Sequence, residues 1–123
     1  MQIQFQRHTL GPDGSWGARD NTSVMYAEWV DLSEFVQHQS KLVGAPSDVA
    51  AAAASSNQAP YRLSGVTVHI GSTPRSGHYM HYFRIGEQWF LANDSKVNPV
   101  KFSVVMRECR TAYLLTYIQE PMP

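Results

Sequence analysis

Between Gly71 and Ser95 the sequence sets out a Gly-bounded polar segment, two aromatic-rich runs on either side of a further glycine, and a polar close. The first segment, Gly71 to Gly77, delivers His78 onto the run His78 to Arg84. The chain then turns near Gly86, and Gln88 to Asn93 forms the second run. Aromatic-rich runs around a glycine turn predict a β-hairpin. With Ile85-Gly86 as its tip, Arg84 pairs with Glu87; with a longer tip, Arg84 pairs with Gln88. Counting back along the ladder puts His78 opposite Asn93 or Asp94. Directly opposed strand residues have Cβ atoms roughly 4.5–5.5 Å apart. An amide or carboxylate oxygen at that range can accept from one imidazole nitrogen, fix the tautomer and leave the other nitrogen to exchange a proton. The pattern is a histidine with its orienter and no nucleophile beside it. The same residues also suit plainer roles. Asn-Asp-Ser closes turns because short polar side chains bond their own backbone, and a single His ahead of an aromatic strand is commonly structural.

The chain has 123 residues, enough for one domain with a modest core. Ten basic residues balance ten acidic ones, so no charge excess argues for nucleic acid or an anionic membrane as a partner. No apolar run approaches the ~20 residues that span a bilayer, and the start carries no signal-peptide pattern. One cysteine forms no internal disulfide. The expected setting is a reducing intracellular one, cytoplasm or nucleus.

Met1-Gln-Ile-Gln-Phe-Gln-Arg7 alternates from its first residue and predicts a strand. A chain opening inside a strand is expected either to be cut from a longer protein or to begin on a sheet edge. Gly11 to Asp20 is dense in turn formers and predicts a loop. Thr22 to Ala27 predicts a second strand with Val24 and Tyr26 on one face, ending near Trp29. Asp31 to His38 predicts a short helix or 3₁₀ turn capped by Asp31 or Ser33. From 39 to 60 the composition shifts to Ser, Gly, Pro, Asn and an alanine run, which predicts a flexible insertion.

Tyr61 to Ile70 predicts a core strand, with Ser64-Gly65 interrupting its alternation as a bulge does. Gly71 to Gly77 is expected to be a flexible loop beside His78. Asp94 to Pro99 reads as a turn, Val100 to Arg107 as a short helix with Val104 and Val105 inward, and Arg110 to Gln119 as a final strand buried on both faces. The whole predicts an α+β fold, mostly antiparallel β. His69, His78 and His81 raise the question of a metal. His78 and His81 fall on opposite faces of one strand, and no cysteine or carboxylate ligands stand at useful spacing, so neither metal nor cofactor is expected.

Several ordered pieces resemble the ubiquitin-specific proteases, papain-like cysteine deubiquitinases. These are Tyr61-Arg-Leu63, Val66-Thr-Val-His-Ile-Gly71, Ser76-Gly-His-Tyr79, Tyr82, Trp89, Asn93-Asp-Ser95 and Ala112-Tyr-Leu-Leu115. Upstream, Gln4-Phe-Gln-Arg7 and Asp31-Leu-Ser33 are similar to family segments, with His8 where an aromatic is usual. The resemblance implies that residues 1–123 are the C-terminal, palm- and fingers-like portion of a papain-like fold. It implies that His78 is the general base, that Asn93 orients it with Asp94 nearby, and that Ser76, Gly77 and Tyr79 line the substrate slot. The loop before the second strand would flank the channel for the ubiquitin tail, with Trp16 and Arg19 as candidate contacts; for the individual residues a solvated hairpin tip is the plainer expectation. The implied partners are ubiquitin or a ubiquitinated protein, and a Cys-bearing N-terminal segment or chain.

One departure dominates. The family's nucleophilic Cys box lies far upstream of its His box, and none is present here. The lone Cys109 follows the His box, between charged neighbours, and is read as a packing residue. No Cys-x-x-Cys pair supplies a zinc finger. The expectation is the His-bearing part of a thiol-dependent ubiquitin hydrolase, inactive alone. The rival is a non-catalytic ubiquitin-binding or scaffold module that kept the fold.

Overall fold

A computed structural model describes residues 1–35 and 59–123. Its strands are β1 (Gln2–Gln4), β2 (Trp29–Val30), β3 (Tyr61–Thr73), β4 (Ser76–Ile85), β5 (Gln88–Asn93), β6 (Lys96–Val100) and β7 (Ala112–Gln119), with one short helix, α1 (Phe102–Met106), between the last two. They form one sheet in the order β1-β7-β3-β4-β5-β6, with β2 also pairing to β3. Every ladder is antiparallel, as the α+β, mostly antiparallel reading requires.

The core lies on one face of this sheet. Val66, Leu115, Tyr82 and Trp89 alternate inward from four neighbouring strands, and α1 closes over them with Val105 fully buried. Phe102 stacks on Trp89 at 5.7 Å between ring centroids. Tyr26 reaches the same layer and donates its hydroxyl to the Val105 carbonyl. Val105 faces inward as expected, with Val104 packed partly buried beside it. The register shift between Leu63 and Gly65 is the predicted bulge, with Ser64 as the extra residue.

Buried arginines tie the segments together. Arg7, 4% exposed, donates to the carbonyls of Ala112, Asp20, Thr22 and Cys109 at 2.7–3.0 Å. A single guanidinium thereby fixes the Gly11–Asp20 loop against the start of β7, a job its planar fork of donors suits. At the far end of β3, Arg62 bonds Glu28, Glu87 and Glu120 at 2.6–3.2 Å. It also lies over the Trp29 ring at 5.1 Å.

Several expectations are corrected. The predicted loop Gly71 to Gly77 shrinks to a two-residue turn at Pro74-Arg75, because β3 runs to Thr73 and β4 begins at Ser76. The glycines are what permit this: a Cβ at Gly71 would overlap the Ser76 carbonyl, and one at Gly77 the Ile70 carbonyl. The β4–β5 tip is Gly86-Glu87, so Ile85 pairs with Gln88 and Arg84 with Trp89. Gly86 takes a φ of +58° there, so the tip keeps two residues but sits one position later than Ile85-Gly86. Lys96–Val100 is a strand, not part of a turn; the turn is Asp94-Ser95 alone, with Asp94 at φ +52°. Asp tolerates that region better than most residues.

At the N-terminus the ladder is only three residues long, extended by the Phe5 amide donating to the Tyr113 carbonyl. Thr22 to Ala27 forms no ladder, and Val24 bonds the Cys109 carbonyl instead. β7 is buried on one face, while Ile118 on the other is half exposed. Asp31 accepts from the Ser33 amide at 2.9 Å at the start of a helical turn. The rest of that predicted helix, and the insertion at 39–60 up to residue 58, lie outside the described residues.

Gly77, at φ +111°, meets backbone wherever a side chain would go, whereas a Cβ at Gly86 meets nothing within 4 Å. Gly86→Ala is therefore expected to destabilise by about 1 kcal/mol, from the left-handed backbone alone. Gly77→Ala should add overlap to strain and exceed about 2 kcal/mol. Urea unfolding of the two variants side by side checks the order.

Candidate active site

His78 is the third residue of β4, half-buried, on the face shared by Met80 and Tyr82. Its Nε2 lies 2.6 Å from Asn93 Oδ1. Asn93 ends β5, and continuing the register of His81 with Ala92 sets Asn93 across from Met80. The two site residues are thus diagonal neighbours rather than directly opposed, because the tip lies one residue later, at Gly86-Glu87, and shifts the ladder. Diagonal positions share a face and lie within reach of long side chains. An amide oxygen only accepts, so Nε2 carries the ring hydrogen and Nδ1 is left to take or give a proton.

The other sequence candidates are placed differently. Asp94 sits exposed in the turn after Asn93, and the His78 ring bonds Asn93 rather than Asp94. Tyr79 follows the strand alternation to the opposite face. Its ring lies 4.3 Å from that of His69, and its hydroxyl donates to the Pro74 carbonyl at 2.7 Å, closing the turn. Ser76 contacts Thr73 through their hydroxyls at 2.8 Å, and its carbonyl accepts from His69 Nε2 at 3.0 Å. Gly77 joins these groups to His78. His81 points away from His78, as alternation requires. It packs over Gly65, bonds Thr67 Oγ1 through Nδ1 at 3.0 Å and stacks on Phe83.

Sequence reasoning missed the support behind the turn. His69 is 1% exposed. Arg19 Nη1 donates to the Gly71 carbonyl at 3.3 Å, and His8 Nε2 lies 3.5 Å from the same oxygen. Among the described residues, Arg19 Nε and Nη2 are buried with no hydrogen-bond partner. The available signal was His69 itself, two residues before a glycine at the end of a core strand; its acceptor lies across a turn that the sequence does not define. A cleft of about 320 Å³ runs beside this group, bordered by Phe5, His8, Trp16, Pro74 and Tyr113. A larger one, about 410 Å³, lies near Trp89 and Phe102, at the end of β5 away from Asn93.

Cys109 is half-buried, with Sγ bonded by the Ser23 hydroxyl at 3.1 Å and 3.7 Å from the Arg107 carbonyl. It precedes β7, on the other side of β3 from β4 and His78. Among the described residues no group of three or more His, Cys, Asp or Glu converges as metal ligands would.

The model of the ubiquitin carboxyl-terminal hydrolase family matches residues 1–117. The chain belongs to that family. The mouse ubiquitin carboxyl-terminal hydrolase 17-like protein D is 32% identical over 105 residues, covering 85% of this chain and 16% of that protein. Ubiquitin carboxyl-terminal hydrolase 25 of Arabidopsis thaliana is 30% identical over 119 residues, covering 95% of this chain and 15% of its own length. Among solved structures, the SAGA Ubp8/Sgf11/Sus1/Sgf73 DUB module is similar with a TM-score of 0.71 at 23% identity, over 99% of this chain and 24% of that one. The chain thus spans about a sixth of the length of these curated relatives and shares the fold of part of a deubiquitinase module.

Within this family member, Asn93→Ala removes the one side-chain acceptor that the described residues offer the His78 ring. The ring is then expected to populate both neutral tautomers, read as a change in its imidazole ¹⁵N shifts, while the core amides of β3 keep their protection. A second expectation concerns acid. Burial holds His69 and His81 below the ordinary imidazole value of 6.5, so the unfolded chain takes up protons first as pH falls. The stability tied to these neutral rings is complete above about pH 6.5 and lost as pH drops through the depressed folded values. Urea midpoints measured from pH 8 to 5 should decline below about pH 6.5, and His81→Phe should flatten part of that decline.

Proposed function

We propose that this chain supplies the His-bearing half of a thiol-dependent ubiquitin hydrolase site, with His78 as the proton-transfer group and Asn93 as its orienter. The observation that carries the reading is the 2.6 Å bond from His78 Nε2 to Asn93 Oδ1, which leaves Nδ1 for a thiol. Family membership over residues 1–117 supports it. So does the likeness in fold to a SAGA DUB module whose structure was solved bound to monoubiquitin.

In this reading a cysteine from a separate Cys-bearing segment loses its proton to His78 Nδ1, and the resulting thiolate attacks the carbonyl carbon after ubiquitin's C-terminal glycine. The C–S bond forms as the carbonyl π pair moves to oxygen. When that pair returns, the C–N bond breaks and the imidazolium gives its proton to the departing lysine amine. Water then attacks the thioester, His78 takes its proton, and the thiol leaves protonated. Asn93 holds the ring in register throughout. As a neutral amide it orients without adding charge, so it stabilises the imidazolium less than a carboxylate would. Ser76 and Gly77, immediately before His78, border the path of the ubiquitin tail, and Tyr79 serves from the opposite face by closing the turn. Asp94 contributes polarity at the edge of the site.

Cys109 is not the nucleophile in this scheme, since β3 separates its segment from His78. Incubation with ubiquitin bearing a C-terminal thiol-reactive group is expected to leave the chain unlabelled by mass spectrometry. Co-expression with a Cys-bearing family segment should yield ubiquitin cleavage that His78→Ala lowers ~10²–10⁴-fold. An adduct on Cys109 would sink the half-site reading. Ubiquitin binding without any reconstituted cleavage would favour the scaffold module instead.

A further inference from the structure

Resting on the reading of His78 as the proton-transfer group, we propose that His69 is its positioning residue, a second imidazole that fixes the peptide plane from which His78 departs. His69 and Tyr79 are ladder partners, as are Ile70 and His78, so His69 sits one step from the site on the neighbouring strand. Its side chain points to the opposite face of the sheet and acts through the backbone.

The Ser76 carbonyl can only accept, so the contact at 3.0 Å requires the hydrogen on His69 Nε2. Burial favours the neutral ring, which has a single N–H to place. That carbonyl belongs to the peptide whose nitrogen is Gly77, the residue at φ +111°. Glycine reaches negative φ just as readily, so its own preferences do not hold this bend. What holds it are the contacts around it. His69 grips the Ser76 side, Arg19 and His8 reach the Gly71 carbonyl on the facing strand, and the two glycines meet backbone to backbone. Tyr79 lies over the His69 ring at 4.3 Å and spends its hydroxyl on Pro74, so the imidazole cannot swing away without opening the turn. Rotation of the Ser76–Gly77 peptide would break the His69 bond. It would also turn the next Cα–Cβ bond and draw the His78 ring off Asn93. The sequence thus uses one histidine for proton transfer and another to aim it.

The test is NMR on the full chain without ubiquitin. In the unsubstituted protein a through-hydrogen-bond coupling between His69 Nε2 and the Ser76 carbonyl carbon is expected, and its absence would overturn the proposal. His69→Leu keeps an apolar core but removes the donor. With the Leu115 amide still protected, the Gly77 and His78 amides should exchange about tenfold faster, and the His78 ring ¹⁵N shifts should show mixed tautomers. A folded His69→Leu chain with unchanged exchange and unchanged His78 shifts refutes it. If that variant does not fold, His69→Gln decides. A protected Gln side-chain amide with His78 intact, or an unprotected one with His78 perturbed, supports the role; an unprotected one with His78 intact overturns it. A chain that meets these expectations yet never supports ubiquitin cleavage refutes the functional reading alone. Cleavage with His78 indifferent to His69 refutes this one alone.

Discussion

Strand β3 is hydrogen-bonded along both edges, and the described structure hangs from it. β7 pairs along one side, β4 and β2 along the other parts of its length. A strand shared in this way has no freedom to slip, because any shift would move Val66 and Val68 out of a layer where both are fully buried. Fixing β3 fixes β4 through seven paired positions, β4 fixes β5, and the His78–Asn93 bond is the outcome. The local grip on the His78 backbone is supplied by side chains from three places: His69 on β3 itself, His8 next to Arg7, and Arg19 from the loop that Arg7 anchors to β7.

Much of this was legible from residue patterns. The strands β3, β4, β5 and β7, the Ser64 bulge, the inward Val105 and the partnership of His78 with Asn93 follow from alternation, turn chemistry and resemblance. What escaped has physical reasons. The hairpin register depends on which residues form the tip as well as on how many, and Gly86 at positive φ takes the first tip position, with Glu87 the second. The segment from Gly71 to Gly77 looked like a loop because glycine and polar residues usually break strands; here the missing side chains let two strands close on each other. The roles of Arg7 and His69 are set by backbone carbonyls, and every residue has one. No residue type marks the acceptor, so long-range bonds of this kind leave little trace in sequence.

The histidines show how far environment, rather than residue type, sets chemistry. His81 stacks on Phe83 and bonds Thr67, His69 is enclosed and spends its hydrogen on a backbone oxygen, and His8 touches both Trp16 and His69 edge-on. Among these, His78 is the one joined to a side-chain amide. Spacing along the chain could not separate these roles; the partner of each ring nitrogen does.

Among the described residues the sheet ends at β6, which is short, exposed along four of its five residues, and reads Lys96-Val-Asn-Pro-Val100. Its outer edge is a poor template. A lysine charge at one end and a proline with no amide hydrogen near the other discourage a further strand from adding there. The same lysine that blunts this edge is the ladder partner of Asn93, so protection against edge-to-edge pairing begins one rung from the side chain that holds His78.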